Sequence, residues 1–158
     1  MKKSSVKIFA FIVAVSIIFG ILPLAGFAAT GNFTVPCTEV KPQKGLFEFP
    51  VSAFEDGKAK HFVYKHGPGK EVRFFVVKST DGVIRAALDA CERCFQAKKG
   101  YVQKGDDMIC INCGLKFRTD KVNVVTGGCN PHPLTRTVKD GKILITQDEV
   151  VSGLRFFQ

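Results

Sequence analysis

Tryptophan is absent from this chain, and tyrosine and methionine occur twice each. A hydrophobic core must therefore be built from smaller rings, and 15 phenylalanines in 158 residues supply much of it. Such a chain can form one domain with a real core. No histidine follows either of the two Cys-x-x-Cys pairs, Cys91 to Cys94 and Cys110 to Cys113. Phe95 and Gly114 stand there instead, which excludes covalent c-type haem. No serine, carboxylate pair or glycine-rich phosphate loop stands in a recognisable catalytic arrangement, so an enzyme with a substrate of its own is the least supported class. Acidic residues are few, 14 against 23 basic ones, for a formal net charge of +9. The lysines are scattered rather than gathered in a stripe, which argues against nucleic acid; the charge favours an anionic membrane surface or an acidic redox partner.

Long apolar runs are also scarce, and the one present begins almost at once. Lys2, Lys3 and Lys7 precede an uncharged stretch from Ile8 to Ala29, 22 residues long. Pro23 breaks the apolar helix, and Gly26-Phe27-Ala28 places small residues at the positions a signal peptidase reads, so residues 1–28 are expected as an export signal with the mature protein beginning near Ala29. An uncleaved membrane anchor is the alternative, since a run of about 20 apolar residues also spans a bilayer. No twin-arginine pair is present, which leaves the Sec route. Cys37, preceded by Thr34-Val35-Pro36, lacks the small-residue neighbourhood of a lipoprotein site. Either way the domain is expected outside the cytoplasm, periplasmic or on the cell surface. Loss of Lys2, Lys3 and Lys7 with the signal lowers the charge from +9 to +6.

Residues 29–45 carry Gly31, Pro36 and Pro42 and are expected as a tether with little secondary structure, ahead of a cysteine-rich metal-binding domain over residues 46–158. That domain reads as short Phe- and Val-rich strands: Leu46 to Phe54, Lys60 to Lys65, Val72 to Lys78, Val83 to Asp89, Tyr101 to Lys104, Met108 to Cys110, Leu115 to Phe117 and Lys142 to Thr146. Asp81-Gly82 and Asp140-Gly141 mark two hairpins. Val72 to Val77 is apolar on both alternating faces, as a central strand covered on both sides requires, and Ile84, Ala86, Leu88 and Ala90 form an apolar face leading into Cys91. Thr146-Gln-Asp-Glu149 has the form of a capping box before Val150, Val151, Leu154 and Phe157. A short C-terminal helix follows from that pattern, although Gly153 costs it about 1 kcal/mol and leaves a terminal strand as the alternative. The fold class is thus mainly β (α+β), with small antiparallel sheets and paired zinc-ribbon-like knuckles.

The cysteines carry the chemistry. The two pairs are separated by 15 residues, and Cys129 follows 15 residues after the second pair. Two short turns joined by a stretch that folds back on itself, here Lys99 to Met108 as a hairpin, bring four soft sulfurs to one site of the kind zinc or iron requires. Gly114 after the second pair permits a left-handed turn that points N–H groups at the thiolates, whereas Phe95 holds that place after the first, so the first turn must differ or be strained. Cys91, Cys94, Cys110 and Cys113 are the primary candidate ligands and Cys129 a secondary one. Three disulfides among six cysteines, in any of 15 connectivities, are the competing reading, and Cys37 with Cys129 could form one disulfide beside a metal. A thioredoxin-type site is disfavoured because its βαβ context is missing.

Met108 shares a strand face with Cys110, so its thioether either fills the core or joins a copper-preferring set. His132, in Gly127-Gly-Cys-Asn-Pro-His-Pro133, either approaches the metal or belongs to an exposed loop. His61 and His66 have opposite strand parity and face opposite sides of a regular strand.

The segments Phe74-Phe-Val-Val-Lys78, Asp89-Ala-Cys-Glu-Arg-Cys94, Lys99-Gly-Tyr101, Gly105-Asp-Asp-Met-Ile-Cys110, Asn112-Cys-Gly114 and Gly127-Gly-Cys-Asn-Pro131 together resemble the FtrD-like family of membrane iron-sulfur-containing proteins. The resemblance covers roughly Phe62 to Ile145. It implies an iron-sulfur cluster or iron at the cysteines, a redox or metal-handling role in bacterial iron transport, and membrane redox or iron-transport components as partners. Fuller members of the family carry several transmembrane helices, so this chain corresponds to their extracytoplasmic domain, alone or with a membrane partner. A zinc-stabilised interaction module and a copper carrier are the rival classes.

Overall fold

The computed structural model describes residues 35–158, so the expected signal or anchor, residues 1–28, lies outside the described residues. Phenylalanine-rich alternation sets the architecture. Strands β1 (Thr38–Glu39), β3 (Lys60–Gly67), β4 (Lys70–Lys78) and β5 (Ile84–Leu88) form a sheet in the order β1-β3-β4-β5. A second sheet has the order β2-β10-β9, from β2 (Leu46–Pro50), β9 (Thr137–Lys139) and β10 (Lys142–Thr146). The third, in the order β6-β7-β8, is made of β6 (Tyr101–Lys104), β7 (Asp107–Cys110) and β8 (Lys116–Arg118). All pairings are antiparallel except β1 with β3. The described residues are mainly β, with one short α-helix among them, α1 (Gln147–Ser152), near the C-terminus.

Strand β4 divides the interior. Val72, Phe74 and Val76 point into a large core with Phe47, Phe62, Leu88, Ile143, Ile145 and Val150, between the first sheet and the second sheet with α1. Rings meet there at 5.4 Å (Phe62 and Phe74) and 5.9 Å (Phe47 and Phe74), within the range of favourable aromatic pairs. Phe75 and Val77, on the other face, join Ala87, Tyr101, Met108, Val122, Cys91 and Cys110 in a smaller cluster under the third sheet. The alternation of apolar residues on both faces of β4 is what lets one strand serve both. Ile84, Ala86, Leu88 and Ala90 all belong to the large core, so it is the opposite face of β5, through Ala87, that abuts the cysteines.

Local differences from the sequence reading have physical causes. Strand β2 stops at Pro50, and Val51–Phe54 turns as a 3-10 helix that buries Phe54. The expected tether is partly ordered: Thr38 and Glu39 pair with Phe62 and Val63, and Lys65 ion-pairs with Glu39 at 2.6 Å. The Asp140-Gly141 turn has both residues left-handed, as a two-residue hairpin demands, whereas at Asp81-Gly82 only Gly82 is. The longer loop there is closed by Arg85, which donates to Ser79 Oγ, Asp81 Oδ2 and the Val122 carbonyl.

Thr146 Oγ1 accepts from the Glu149 N–H at 3.2 Å, the first arm of the expected capping box. The Glu149 carboxylate turns instead to the Thr135 N–H at 2.7 Å, pinning the preceding loop. Thr146→Ala is expected to cost about 1 kcal/mol, read by urea unfolding, as for other lost N-caps. The helix ends at Gly153, where a Cβ would sit 2.5 Å from Leu88 Cδ1. No described helix is long and apolar enough to cross a membrane.

Candidate metal centre

The second Cys-x-x-Cys turn grows directly out of β7. Cys110 ends the strand, paired with Tyr101, and Gly114 adopts φ +75°. The Gly114 N–H donates to the Cys110 carbonyl at 2.8 Å. The Cys110 sulfur accepts N–H groups of Asn112 and Cys113, and the Cys113 sulfur accepts that of Leu115. This is the knuckle that the glycine after the pair requires. The first pair is built differently. Cys94 N–H donates to the Cys91 sulfur at 3.2 Å, then Phe95–Ala97 forms a 3-10 turn and Lys98 takes the left-handed conformation. Phe95 avoids the strained position and packs its ring edge-on against Phe156, 5.7 Å away.

Cys129 arrives from a distant loop. Residues after it run along β5: the His132 carbonyl accepts from Leu88 N–H, His132 N–H donates to the Ala90 carbonyl, and Leu134 N–H donates to the Ala86 carbonyl. The Tyr101 hydroxyl donates to the Cys129 carbonyl at 2.7 Å, fixing the loop over the third sheet. Tyr101 was not singled out from the sequence as part of the site; a lone aromatic beginning a hairpin strand is ordinarily just core.

The sulfurs converge in two sets. Those of Cys91, Cys94 and Cys110 lie within 4.8 Å of one another, and so do those of Cys94, Cys113 and Cys129; these sets could hold a metal ion. The Cys94 and Cys129 sulfurs are 3.9 Å apart. Cys91 and Cys110 are buried, Cys94 and Cys129 half-buried, and Cys113 exposed. All six cysteines are free thiols in this structure, and Cys37 stands apart, with its sulfur 3.6 Å from Arg73 Nη1. Burial pushes the Cys110 and Cys129 thiols up to about 12, helped by the neighbouring sulfurs. At Cys113 burial acts upward too, but the Leu115 N–H and the adjacent thiols outweigh it and lower the pKa. Metal-free, the group is crowded with protons that a soft cation would displace.

Met108 is fully buried in the same cluster as Cys91, Cys110 and Phe75. His132 belongs to neither sulfur set; its ring lies 4.8 Å from that of Phe156. His61 and His66 diverge as their parity requires: His61 is buried with Nδ1 3.5 Å from Asp89 Oδ2, while His66 meets the Tyr64 hydroxyl. Asp89 also takes the Tyr101 N–H at 2.7 Å and so ties β5 to the hairpin that carries Cys110.

Together, fold and site define a small β-rich domain with a cluster of five cysteine sulfurs between its sheets. The model of the family described as membrane iron-sulfur containing protein, FtrD-like, matches residues 54–157, and this chain belongs to that family. No curated protein matches the sequence. Among solved structures, the quaternary ammonium Rieske monooxygenase CntA in complex with an inhibitor is similar at 15% identity and a TM-score of 0.43. That similarity covers 63% of this chain but only 30% of the monooxygenase chain.

Proposed function

We propose that this chain is an extracytoplasmic thiolate metal protein that transfers electrons or handles metal in iron transport, holding iron or an iron-sulfur centre on Cys91, Cys94, Cys110 and Cys113, with Cys129 beside them. The observation that carries this reading is the convergence of five sulfurs from three separated segments, in a member of an iron-sulfur family. The donor set fits such a centre: every candidate is sulfur, and three of the sulfurs accept backbone N–H groups that stabilise thiolate charge. Iron held by thiolates supplies one-electron transfer. The chain's own contribution is a wall of buried residues behind Cys91 and Cys110, which keeps water away, and an open side at Cys113, where a membrane redox or iron-transport partner could approach.

A zinc-stabilised interaction module is the second reading. Bonds of about 2.3 Å to one ion put tetrahedral thiolates about 3.8 Å apart, and the 3.9 Å between Cys94 and Cys129 suits that as well. The deciding experiment is metal and sulfide analysis, with optical and paramagnetic-resonance spectra, of protein purified without oxygen from its native host. Iron with labile sulfide supports an electron carrier, and iron alone a rubredoxin-like centre in the same role. Copper would bring Met108 into a transfer site. Stoichiometric zinc as the sole metal would sink electron transfer and leave a binding module. Native material matters because a host without insertion machinery would fill the same thiolates with zinc.

A further inference from the structure

Positive charge gathers in the two turns that bring the cysteines to the surface. Cys113 is the exposed member of the cluster, and its sulfur lies close to those of the half-buried Cys94 and Cys129. Lys98 and Lys99 line the same small hollow as Cys94, Cys110 and Asn112. Arg93 stands exposed between the cysteines of the first pair, and Lys116 is exposed three residues after Cys113. Against these four basic residues, Glu92 is the sole acid in residues 91–99 and 110–117. Its carboxylate leans toward the Cys129 loop, 3.8 Å from where a Cβ on Gly127 would sit. None of the four has a carboxylate partner among the described residues, whereas Lys60, Lys65, Lys78, Arg118, Lys121 and Lys142 do. From this arrangement we infer that the face around Cys113 docks an acidic surface of a partner protein. The inference rests on the electron- or metal-transfer reading above and adds the partner's charge and the place where it sits.

Like charges held near one another without counter-ions repel, and an anionic surface laid against them removes that repulsion. Such a patch also steers an oppositely charged partner to the right face and turns away a basic one. The layout agrees with a protein interface, in which a small apolar centre has a polar rim. Leu115, 52% exposed, donates its N–H to the Cys113 sulfur and supplies that centre. A bilayer carries negative charge too, but it has no group to exchange electrons or metal with Cys113. The two turns also offer a membrane little to bury, since Leu115 is the one large apolar residue in them that is exposed. Burial of Cys91 and Cys110 closes the opposite side, so a partner reaches the cluster from this face.

The test uses the full chain and a stand-in for the acidic partner: hexacyanochromate(III), a redox-inert paramagnetic trianion that broadens the amides it approaches. With the zinc-loaded, diamagnetic protein, amides of residues 93–99 and 112–116 are expected to broaden ahead of all others. Arg93→Glu with Lys99→Glu is expected to lose that broadening. Lys70→Glu with Lys139→Glu, which changes the net charge equally at exposed places in β4 and β9, is expected to keep it. In iron-loaded protein, hexacyanoferrate(III) takes one electron from the reduced centre and becomes hexacyanoferrate(II). The first variant is expected to slow that step about tenfold at low salt, and the second to leave it unchanged. Broadening spread evenly over the surface, or lost equally in both variants, would overturn the inference. Binding of phosphatidylglycerol vesicles through the same amides at physiological ionic strength would assign the face to lipid and overturn the protein partner. Zinc as the sole native metal would remove the electron-transfer reading without moving the chromium probe, so the two failures are told apart.

Discussion

Stripping metal from the reduced protein is expected to melt β6, β7 and β8 with the Cys129 loop, while the phenylalanine core between the two larger sheets stays folded. The third sheet has strands of four, four and three residues. A sheet that small is marginal unless something else holds it. Its apolar support is the smaller cluster, in which Tyr101, Met108 and Val122 lean on Phe75 and Val77 and in which two members, Cys91 and Cys110, are candidate ligands themselves. Structural zinc in small thiolate and imidazole sites supplies about 10–16 kcal/mol of apparent binding energy, as much as the whole stability of an ordinary domain. If even a third of that holds the hairpin in place, amide exchange in β6 to β8 should accelerate by about a thousandfold, since about 1.4 kcal/mol is a factor of ten. Amides of β2 and β10 should change little, because Phe47, Ile143 and Ile145 belong to the large core, whose buried members include no cysteine. Hydrogen exchange with and without a chelator measures both regions at once. Unchanged protection of β6 to β8, or thiol counting that finds every cysteine of the native protein oxidised, would contradict the expectation.

The division into two cores was legible in the sequence because one strand carried both halves of the pattern. Val72 to Val77 alternates apolar residues on both faces, and period-2 alternation depends only on nearest neighbours along the chain. Strands β6 and β10 have the bounds expected of them for the same reason, and the meeting of the two Cys-x-x-Cys turns follows from the hairpin between them. What escaped depends on contacts distant in sequence. Cys129 is a secondary candidate from its spacing, but its place beside Cys94 depends on residues 132–134 adding to the edge of β5, a pairing that no local spacing encodes. Gly153 read as a weak helix position, yet its reason is Leu88, far away in the chain and 2.5 Å from where a Cβ would sit. Strand β1 is two residues long, too short to show any period. The His61 and Asp89 pair brings together groups from β3 and from the end of β5, and only the register of three strands sets them side by side.

Gly100→Ala is expected to destabilise the metal-loaded protein by about 3–5 kcal/mol, far beyond the usual cost of one methyl group. Gly100 has φ +67°, and an ideal Cβ there would lie 2.4 Å from Asp89 Oδ2 and 2.6 Å from both Cγ and Oδ1. Asp89 is 1% exposed and cannot swing into water. The carboxylate must shift, and it loses the Tyr101 N–H, now 2.7 Å away, that ties β5 to the hairpin. A left-handed backbone costs a residue with a Cβ about 1–2 kcal/mol, and a lost hydrogen bond to a buried charge adds about 1.5–3 kcal/mol. The damage should reach the sulfurs, because the Gly100 carbonyl also accepts the Ile111 N–H at 3.0 Å inside the second knuckle. Weaker metal binding should therefore accompany the lost stability. A double-mutant cycle separates the two causes: with Asp89→Ala already present the clash is gone, and adding Gly100→Ala should cost only the backbone strain of about 1–2 kcal/mol. Unfolding must be compared at equal metal saturation, since bound metal stabilises by mass action. A Gly100→Ala cost below about 1 kcal/mol, or an equal cost in both backgrounds, would mean that Asp89 is not the brace between β5 and the cysteine hairpin.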